Sequence, residues 1–464
     1  MKKQITAAVM ALCLTAGLAA CGSSQSAGTA AGSTAAGSTA AAGSTAAGST
    51  AAAADTAAAG TTASGDPLQV VIWDTNQQAG IQQICDEFTK ESGIPVKVEV
   101  KDWNSYWTYL ESSATAGNMP DVFWMHSNNS QMYMKNDILL KLDDYIAKSD
   151  KVKLENYMPE ITELYTYNGS HYAIPKDYDT IAVWYNKTMF DAAGMSYPDA
   201  TWTWDDFYEA AKKLTKADGS QYGYCINPSN DQDSYYNMVY SMGGKIISDD
   251  HKTSGYDDPN TLKAMEYVGK LVKDCCPDPK TMSETGTDVM LGSGKVAMIT
   301  QGSWMTAGFL KNDYITKNCD VAILPYDKTT GTRASICNGL GWAASAGSKR
   351  PDDCWKLIEW LGSKDMQLEQ AKLGVTMSAY LNTSSDWVKC TDVFNLQPYL
   401  DMTTDKTGDA VNKLVLRPYS YNSTVWSSMA TEKLVDAWAD TSKMTDVCKT
   451  IAAEMNSDIA KENG

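Results

Sequence analysis

Asp288-Val-Met-Leu-Gly-Ser-Gly-Lys-Val-Ala-Met-Ile-Thr-Gln-Gly-Ser-Trp304 decides how the rest of this chain is read. Its order predicts a helix end at Met290 and Leu291, a Gly-Ser-Gly turn from Gly292 to Gly294, and a short buried strand from Lys295 to Thr300. A second glycine turn then closes on a large aromatic. In open α/β sheets the ligand lies in the crevice beyond the carboxyl ends of the strands, so a Trp one turn past a strand end stands within reach of it. From position alone, Trp304 is either a floor for something flat or a core indole.

Upstream, the pattern is that of a parallel sheet. Leu68 to Asp74 reads as a buried strand, and Ile81, Ile84, Cys85 and Phe88 follow at helical spacing in a helix that stops at Gly93. Val96, Val98 and Val100 alternate as a second strand. Asp102 caps a second helix, and Gly117-Asn-Met-Pro120 returns the chain to a third strand, Asp121 to Met125. Strand, helix, strand, helix, strand means right-handed crossovers. Further on, Tyr172-Ala-Ile-Pro-Lys-Asp-Tyr-Asp-Thr-Ile-Ala-Val-Trp-Tyr-Asn-Lys187 is an extended run too long for a small sheet, and is expected to pass from one lobe to another. Asp257-Asp-Pro-Asn260, followed by Leu262, Met265, Val268 and Leu271, is a capped amphipathic helix without chemistry.

Several of these stretches, taken in order, resemble the extracellular solute-binding proteins of carbohydrate ABC importers, the maltose-binding-protein-like family. The opening stretch is similar to that family's "G-K-A-A-M-…-G-x-W" segment. Gly117-Asn-Met-Pro-Asp-Val-Phe-Trp-Met-His126 resembles its "G-x-x-P-D-v-…-W-x-h" region, and Tyr185-Asn186-Lys187 resembles the end of its crossing strand. Thr201-Trp-Thr-Trp-Asp-Asp-Phe207 resembles a helix start with Thr203 as cap and Trp204 as core. Val321 to Leu324, ending at Pro325, resembles a second crossing. Ser335 to Ser345 resembles the strand that re-enters the first lobe, and Leu416 to Trp426 the C-terminal ligand segment.

The resemblance implies an α/β, two-lobed periplasmic-binding-protein-like fold with hinge crossings and an interlobe ligand cleft. It divides the chain into residues 67–178 plus 328–375 for the first lobe and 179–327 plus 376–464 for the second. Carried over residue by residue, the implied ligand contacts are Asn76 and Gln77 after the first strand, Trp124, His126 and Ser127 after the third, Asp179 at the crossing, and Tyr236. Trp304, Asn338, Trp342 and Trp426 complete the set. Trp304 and Trp426 are expected to sandwich a ring. Relatives carry charges in the first two loops where this chain has Gln77, Gln78, Ser127 and Asn128, which leaves the identity of the sugar open.

The amino terminus has its own logic. Lys2 and Lys3, the apolar run from about Ile5 to Leu14 and Leu18-Ala-Ala-Cys21 read as a secretory signal over residues 1–20. The last four resemble a bacterial lipobox, which implies a diacylglycerol on Cys21 and a place on the extracellular face of the cell membrane. Residues 21–66 are almost entirely Ala, Gly, Ser and Thr beyond the cysteine, a tether with a root-mean-square span of roughly 35–40 Å.

Composition narrows the function. A net charge of −17 argues against nucleic acid and anionic lipid surfaces, both of which call for clustered Lys and Arg. The only arginines are Arg333, Arg350 and Arg417, so a strongly anionic ligand has few bidentate partners. His126, His171 and His251 lack metal-ligand spacing, and no cofactor or metal is expected. Fourteen Trp and 25 Tyr against 6 Phe favour half-wet aromatic surfaces of the kind a sugar's C–H faces and hydroxyls suit. Nine cysteines besides Cys21 show no CxxC spacing in the mature chain and are expected as buried thiols.

The leading expectation is a monomeric, non-enzymatic, lipid-anchored receptor that delivers a mono- or oligosaccharide to the transmembrane subunits of an importer. A secreted glycosidase is one alternative, although no Gly-x-Ser-x-Gly elbow, HExxH or P-loop is present. The other keeps the fold but binds an acidic sugar or polyol phosphate, with Arg333 or Arg417 as the clamp.

Overall fold

The computed structural model describes residues 65–462. The leader, Cys21 and the tether as far as residue 64 lie outside the described residues.

Strand β1 (Leu68–Ile72) lies between β2 (Val96–Val100) and β3 (Val122–Met125), parallel to both. The helix between β1 and β2, Thr75–Ser92, is capped by Asp74, whose carboxylate accepts from the Asn76 N–H at 2.8 Å. It buries Ile81, Ile84, Cys85 and Phe88 and ends on Gly93 at φ 74°, a left-handed conformation that glycine adopts without a Cβ clash. The helix between β2 and β3, Trp103–Ala116, starts from Asp102 and stops at Gly117 in the same manner.

A short hairpin of β4 (Thr166–Tyr167) and β5 (Ser170–His171) precedes β6 (Ala173–Pro175), and the chain then crosses to β7 (Ile181–Asn186). The remaining strands are β8 (Tyr222–Tyr224), β9 (Val296–Gly302), β10 (Cys319–Ala322), β11 (Thr332–Cys337), β12 (Gly341–Ala344), β13 (Lys406–Thr407) and β14 (Ala410–Leu416). They assemble as β2-β1-β3-β12-β6 in one lobe and β10-β7-β9-β8 in the other, and a third sheet, β11-β14-β13, packs with the second lobe.

Both faces of the first sheet are covered, as a mostly parallel sheet requires. Alternation sends Leu68, Val70, Ile72, Val122, Trp124 and Trp342 into one apolar core and Val71, Phe123, Met125 and Ala343 into the other. In the second lobe Thr203 caps the helix Trp204–Leu214 through a reciprocal pair with Asp206, and Trp204 is buried.

Two local expectations change. The strand of the opening stretch runs on to Gly302, because Gln301 and Gly302 still pair with Ala182 and Ile181; only then does a 3-10 turn, Ser303–Met305, begin. Gly302 is extended (φ −80°, ψ 157°), so it is not there for a turn. Its use is steric: a Cβ at this position would lie 1.9 Å from Cζ3 of Trp304, whose ring occupies that space. Likewise Ser335–Ser345 is two strands rather than one. β11 pairs with β14, and β12 with β3 and β6, so the return to the first sheet falls at residues 338–340 rather than directly behind Pro325.

Candidate ligand-binding site

Three passages of chain meet between the first and second sheets. The Lys176 N–H donates to Leu340 O at 2.7 Å, Asp179 N–H to Asn338 O at 2.8 Å and Tyr178 N–H to Met377 O at 3.2 Å, so residues 176–179, 338–340 and 377 form one hydrogen-bonded bundle. Lys176 is its centre. Its ammonium is fully buried, 2.6 Å from Asp177 Oδ2, 3.0 Å from Gln77 Oε1 and 3.3 Å from Thr376 Oγ1, and it lies over the Trp124 ring at 4.6 Å. Burial lowers the Lys176 pKa, and the Asp177 charge opposes that shift. Asp177 also accepts from the Leu340 N–H at 2.7 Å and the Thr376 hydroxyl at 3.1 Å. A buried ion pair this well supplied with hydrogen bonds holds its ground; losing either partner strands a charge.

A second chain of polar groups leads outward from the bundle. Asp179 Oδ1 accepts from Gln232 Nε2 at 2.6 Å and from the Asn338 N–H at 3.1 Å. Burial, with Asp177 nearby, raises the Asp179 carboxyl well above the ordinary carboxylate range. The Asn338 side-chain amide lies 2.8 Å from His126 Nε2. Burial, and then Arg417, holds the imidazole well below its usual pKa, so the ring is neutral. Its Nδ1 accepts from the Asn128 N–H at 3.2 Å, which puts the one ring proton on Nε2. The two ends of an amide are assigned from their partners, and an N–H on Nε2 selects the orientation that turns the Asn338 oxygen toward His126.

Beside this chain, the Arg417 guanidinium joins Asp231 at 2.5 Å and also donates to Asn128 Oδ1. Burial pulls its pKa down, but Asp231, Tyr236 and Tyr235 together outweigh burial and leave it above the usual value. Ser127 Oγ, Ser303 Oγ and Thr306 Oγ1 are buried without a protein partner. Ser303 belongs to the same neighbourhood, because its N–H donates to Thr180 O at 3.1 Å. The Ser127 and Ser303 hydroxyls beside this chain therefore keep hydrogen-bonding capacity that no protein group takes up.

The aromatic surfaces divide sharply. Trp304, on the second lobe, is half-buried over Gly302. On the first lobe Trp73, Trp103, Trp107 and His126 form a cluster: Trp103 meets Trp73 at 5.1 Å, Trp107 at 5.6 Å and His126 at 5.2 Å, each near-perpendicular. Trp73 directly follows β1, and Trp103 opens the helix after β2, so both stand at the carboxyl ends of parallel strands. Asn76, exposed in the first turn of the helix Thr75–Ser92, accepts from Lys311 Nζ at 3.0 Å, which brings that helix start against the segment following Trp304.

Of the residues singled out in the sequence, His126, Ser127, Asp179 and Asn338 come together, with Trp304 two residues beyond the strand that borders them and Asn76 at the contact between lobes. Gln77 is near them but buried in the Lys176 cluster, where it also donates to Asp74 at 3.0 Å. Trp124 and Trp342 are neighbours across β3 and β12 with no exposed surface, because strand alternation turns both into the core. Tyr236 is equally enclosed, with its hydroxyl 3.3 Å from that of Tyr256. Trp426 is sealed as well and donates its indole N–H to Ser420 Oγ at 2.9 Å, so it offers no open face opposite Trp304. Sequence reasoning passed over Trp73, Trp103, Lys176, Asp231 and Gln232. The rule that ligands gather at strand carboxyl ends was a signal for the two Trp; nothing local marks the other three.

Among the described residues there is no group of three His, Cys, Asp or Glu side chains placed to hold an ion. The nine described cysteines are free thiols, seven of them buried. No helix among the described residues is long and apolar enough to cross a membrane.

Residues 83–394 match the family model of the bacterial extracellular solute-binding proteins. A putative binding protein of Brucella abortus is 26% identical over 295 residues, 61% of this chain and 68% of that one. The maltodextrin-binding protein of Bacillus subtilis is 24% identical over 288 residues, 60% of this chain and 65% of that one. Among solved structures, an ABC substrate-binding protein of Listeria monocytogenes in complex with cycloalternan superimposes with a TM-score of 0.77 at 20% identity, covering 85% of this chain and 99% of that one. The acarbose-binding GacH receptor of Streptomyces glaucescens does so with a TM-score of 0.69 at 20% identity, covering 85% and 97%. These likenesses carry the two-lobed fold.

Proposed function

We propose that this chain, which belongs to the bacterial extracellular solute-binding proteins, captures a neutral saccharide between its lobes and presents it to an ABC importer. One observation carries the choice of ligand: buried, unpartnered hydroxyls beside Asp179, Asn338 and His126, with half-open indoles to either side. A sugar offers hydroxyls to the first and C–H faces to the second. Asp179 accepts ligand hydroxyls, Asn338 donates through the amide group turned away from His126, and Trp304 stacks. The named relatives that bind maltodextrin, lactose and diacetylchitobiose support this ligand class.

The acidic-solute alternative finds little support. Arg333 is fully buried and spent on the carbonyls of Leu324 at 2.5 Å, Ala200 at 2.6 Å and Thr407 at 3.1 Å. Burial lowers its pKa to about 10. Arg417 is already neutralised by Asp231. Neither has a free fork for a carboxylate or phosphate.

The protein acts as a receptor rather than an enzyme, and the matched relatives are named as binding proteins. In this reading Cys21 carries the membrane anchor, and substituting Cys21→Ser releases the protein from the cell surface. Ligand favours the lobe-to-lobe contacts Asn128–Arg417 and Asn76–Lys311 only by binding that arrangement better than an open one. Titration of tryptophan fluorescence against neutral mono- and oligosaccharides, with sugar phosphates in parallel, tests the reading. Saturable change with neutral sugars is expected; no response to any neutral sugar overturns it. Release of new reducing ends from oligosaccharides overturns the receptor assignment.

A further inference from the structure

We propose that Glu462 is a positioning residue for the candidate site: its carboxylate pins the loop 417–422, and the pinned loop holds the helix Ser127–Lys135, at whose start His126 and Ser127 stand. This rests on the site described above and not on the identity of the sugar.

The loop leaves β14 at Leu416 and enters the helix Ser423–Ala439. Asn422, at the N-cap, lends that helix no side-chain hydrogen bond. Glu462, the last residue of the helix Met444–Glu462, supplies one from 40 positions away. Its Oε1 accepts from the Asn422 N–H at 2.9 Å and from the Ser420 hydroxyl at 2.6 Å, and its Oε2 from the Tyr421 N–H at 3.0 Å. A carboxylate on three donors at a helix start makes charge-assisted bonds and uses both of its oxygens. Ser420 Oγ passes the hold inward by accepting from the Trp426 indole N–H at 2.9 Å. A second brace comes from His251, which lays its ring 4.4 Å from that of Tyr419 and donates from Nδ1 to Tyr419 O at 2.8 Å. His251 is left-handed at φ 56°, and a non-glycine residue persists there only where its surroundings hold it.

The loop in turn grips both ends of one helix. Arg417 donates to Asn128 in the first turn of Ser127–Lys135. At the other end the Tyr421 hydroxyl accepts from the Asn136 side chain at 3.1 Å, while Lys135 Nζ sits 4.1 Å over the Tyr421 ring. His126 is the N-cap of this helix, and its Nδ1 accepts from the N–H of the same Asn128 that Arg417 holds, while its Nε2 meets Asn338 at 2.8 Å. A shift of the loop therefore reaches the His126 ring through a single residue. A local cap from the Asn422 side chain would satisfy the helix start without fixing the loop to a second helix. The distant carboxylate does both, and so couples the place of the loop to the site.

The test needs no sugar, so it succeeds or fails apart from the saccharide reading. Amide hydrogen exchange and the imidazole resonances of the intact protein are compared for wild type, Glu462→Gln and Glu462→Ala. In Glu462→Ala, exchange should quicken at residues 420–423 and, by about fivefold or more, across Ser127–Lys135, while the helix Trp204–Leu214 keeps its wild-type rates. Glu462→Gln, which retains an acceptor oxygen, should show the same pattern at smaller amplitude. The His126 resonances should move while those of His171, bonded to Asp143, stay in place. Adding Asn128→Ala and Asn136→Ala removes both hydrogen bonds between loop and helix, and in that background Glu462→Gln should no longer alter Ser127–Lys135. Loosening confined to residues 420–439 with His126 unmoved makes Glu462 a helix cap and overturns the proposal. Uniform quickening across the helices of both lobes in both variants overturns it too, as does an effect of Glu462→Gln on Ser127–Lys135 that survives the Asn128 and Asn136 substitutions.

Discussion

Two polar clusters lie side by side at the crossings and are built from similar residues, yet they are finished differently. Around Lys176, Asp177, Gln77 and Thr376 each charged group has two or more short partners within the protein. Around Asp179, Asn338, His126 and Ser127 the partners run out: Ser127 Oγ and one end of the Asn338 amide have none. The first is a satisfied network that fixes how three passages of chain cross. The second keeps a buried hydroxyl and one end of an amide free of protein partners, so it contributes less to fixing the crossings than the first.

That contrast breaks or sharpens under substitution. The largest effect is expected at the satisfied cluster: Lys176→Met leaves Asp177 buried and unpaired and should cost about 3–5 kcal/mol in urea unfolding. A loss below about 1 kcal/mol would erase the distinction between the clusters.

Asp179→Asn should do the reverse, lowering saccharide affinity roughly tenfold by replacing a carboxyl that hydrogen-bonds ligand hydroxyls while raising stability at neutral pH. The sign follows from linkage. A carboxyl whose native pKa is raised keeps a proton that the unfolded chain loses, so its stabilising contribution is full below the unfolded value near 3.8 and fades as pH climbs toward the native value. Melting temperatures of wild type and Asp179→Asn between about pH 4 and 8 should converge at the acid end and separate toward neutrality.

Next in size is the indole of the second lobe. Trp304→Ala should weaken saccharide binding about tenfold, and Gly302→Ala comparably, because its new methyl displaces the ring it cradles. The pair should be non-additive: in the Trp304→Ala background, Gly302→Ala should cost nothing further, whereas additive losses would give Gly302 an independent role. The smallest effect belongs to the exposed contact between lobes. Lys311→Ala should change affinity by no more than about 0.5 kcal/mol, since the bond to Asn76 exchanges readily with water.

Much of the frame was readable along the chain. Asp102 and Thr203 cap helices as read, Gly93 and Gly117 end them, and Ile81, Ile84, Cys85 and Phe88 are buried at the spacing that first suggested a helix. Those are local rules acting over a few residues. Of the candidate site, the residues that the structure brings together, His126, Ser127, Asp179 and Asn338, were legible in the motifs. It was misjudged where the face of a strand decides the outcome: a Trp in a ligand-like motif, such as Trp124 or Trp342, turns into the core or out of it by a shift of one residue. Gln301 and Gly302 extended the strand for a related reason, since pairing with β7 prevailed over the usual meaning of a glycine near a strand end.

The alternation of strand and helix, the capped ends, the crossing run from Tyr172 to Lys187 and the family are all legible along the chain, because each is written in neighbours a few positions apart. Folding alone sets Lys176 against Gln77 and Thr376, neutralises Arg417 with Asp231 from 186 positions away, and leaves Trp103 open while Trp426 is sealed. Burial and charge pairing are properties of what the fold brings near, and no local pattern records which distant side chain will arrive to cover an indole or pair with a guanidinium.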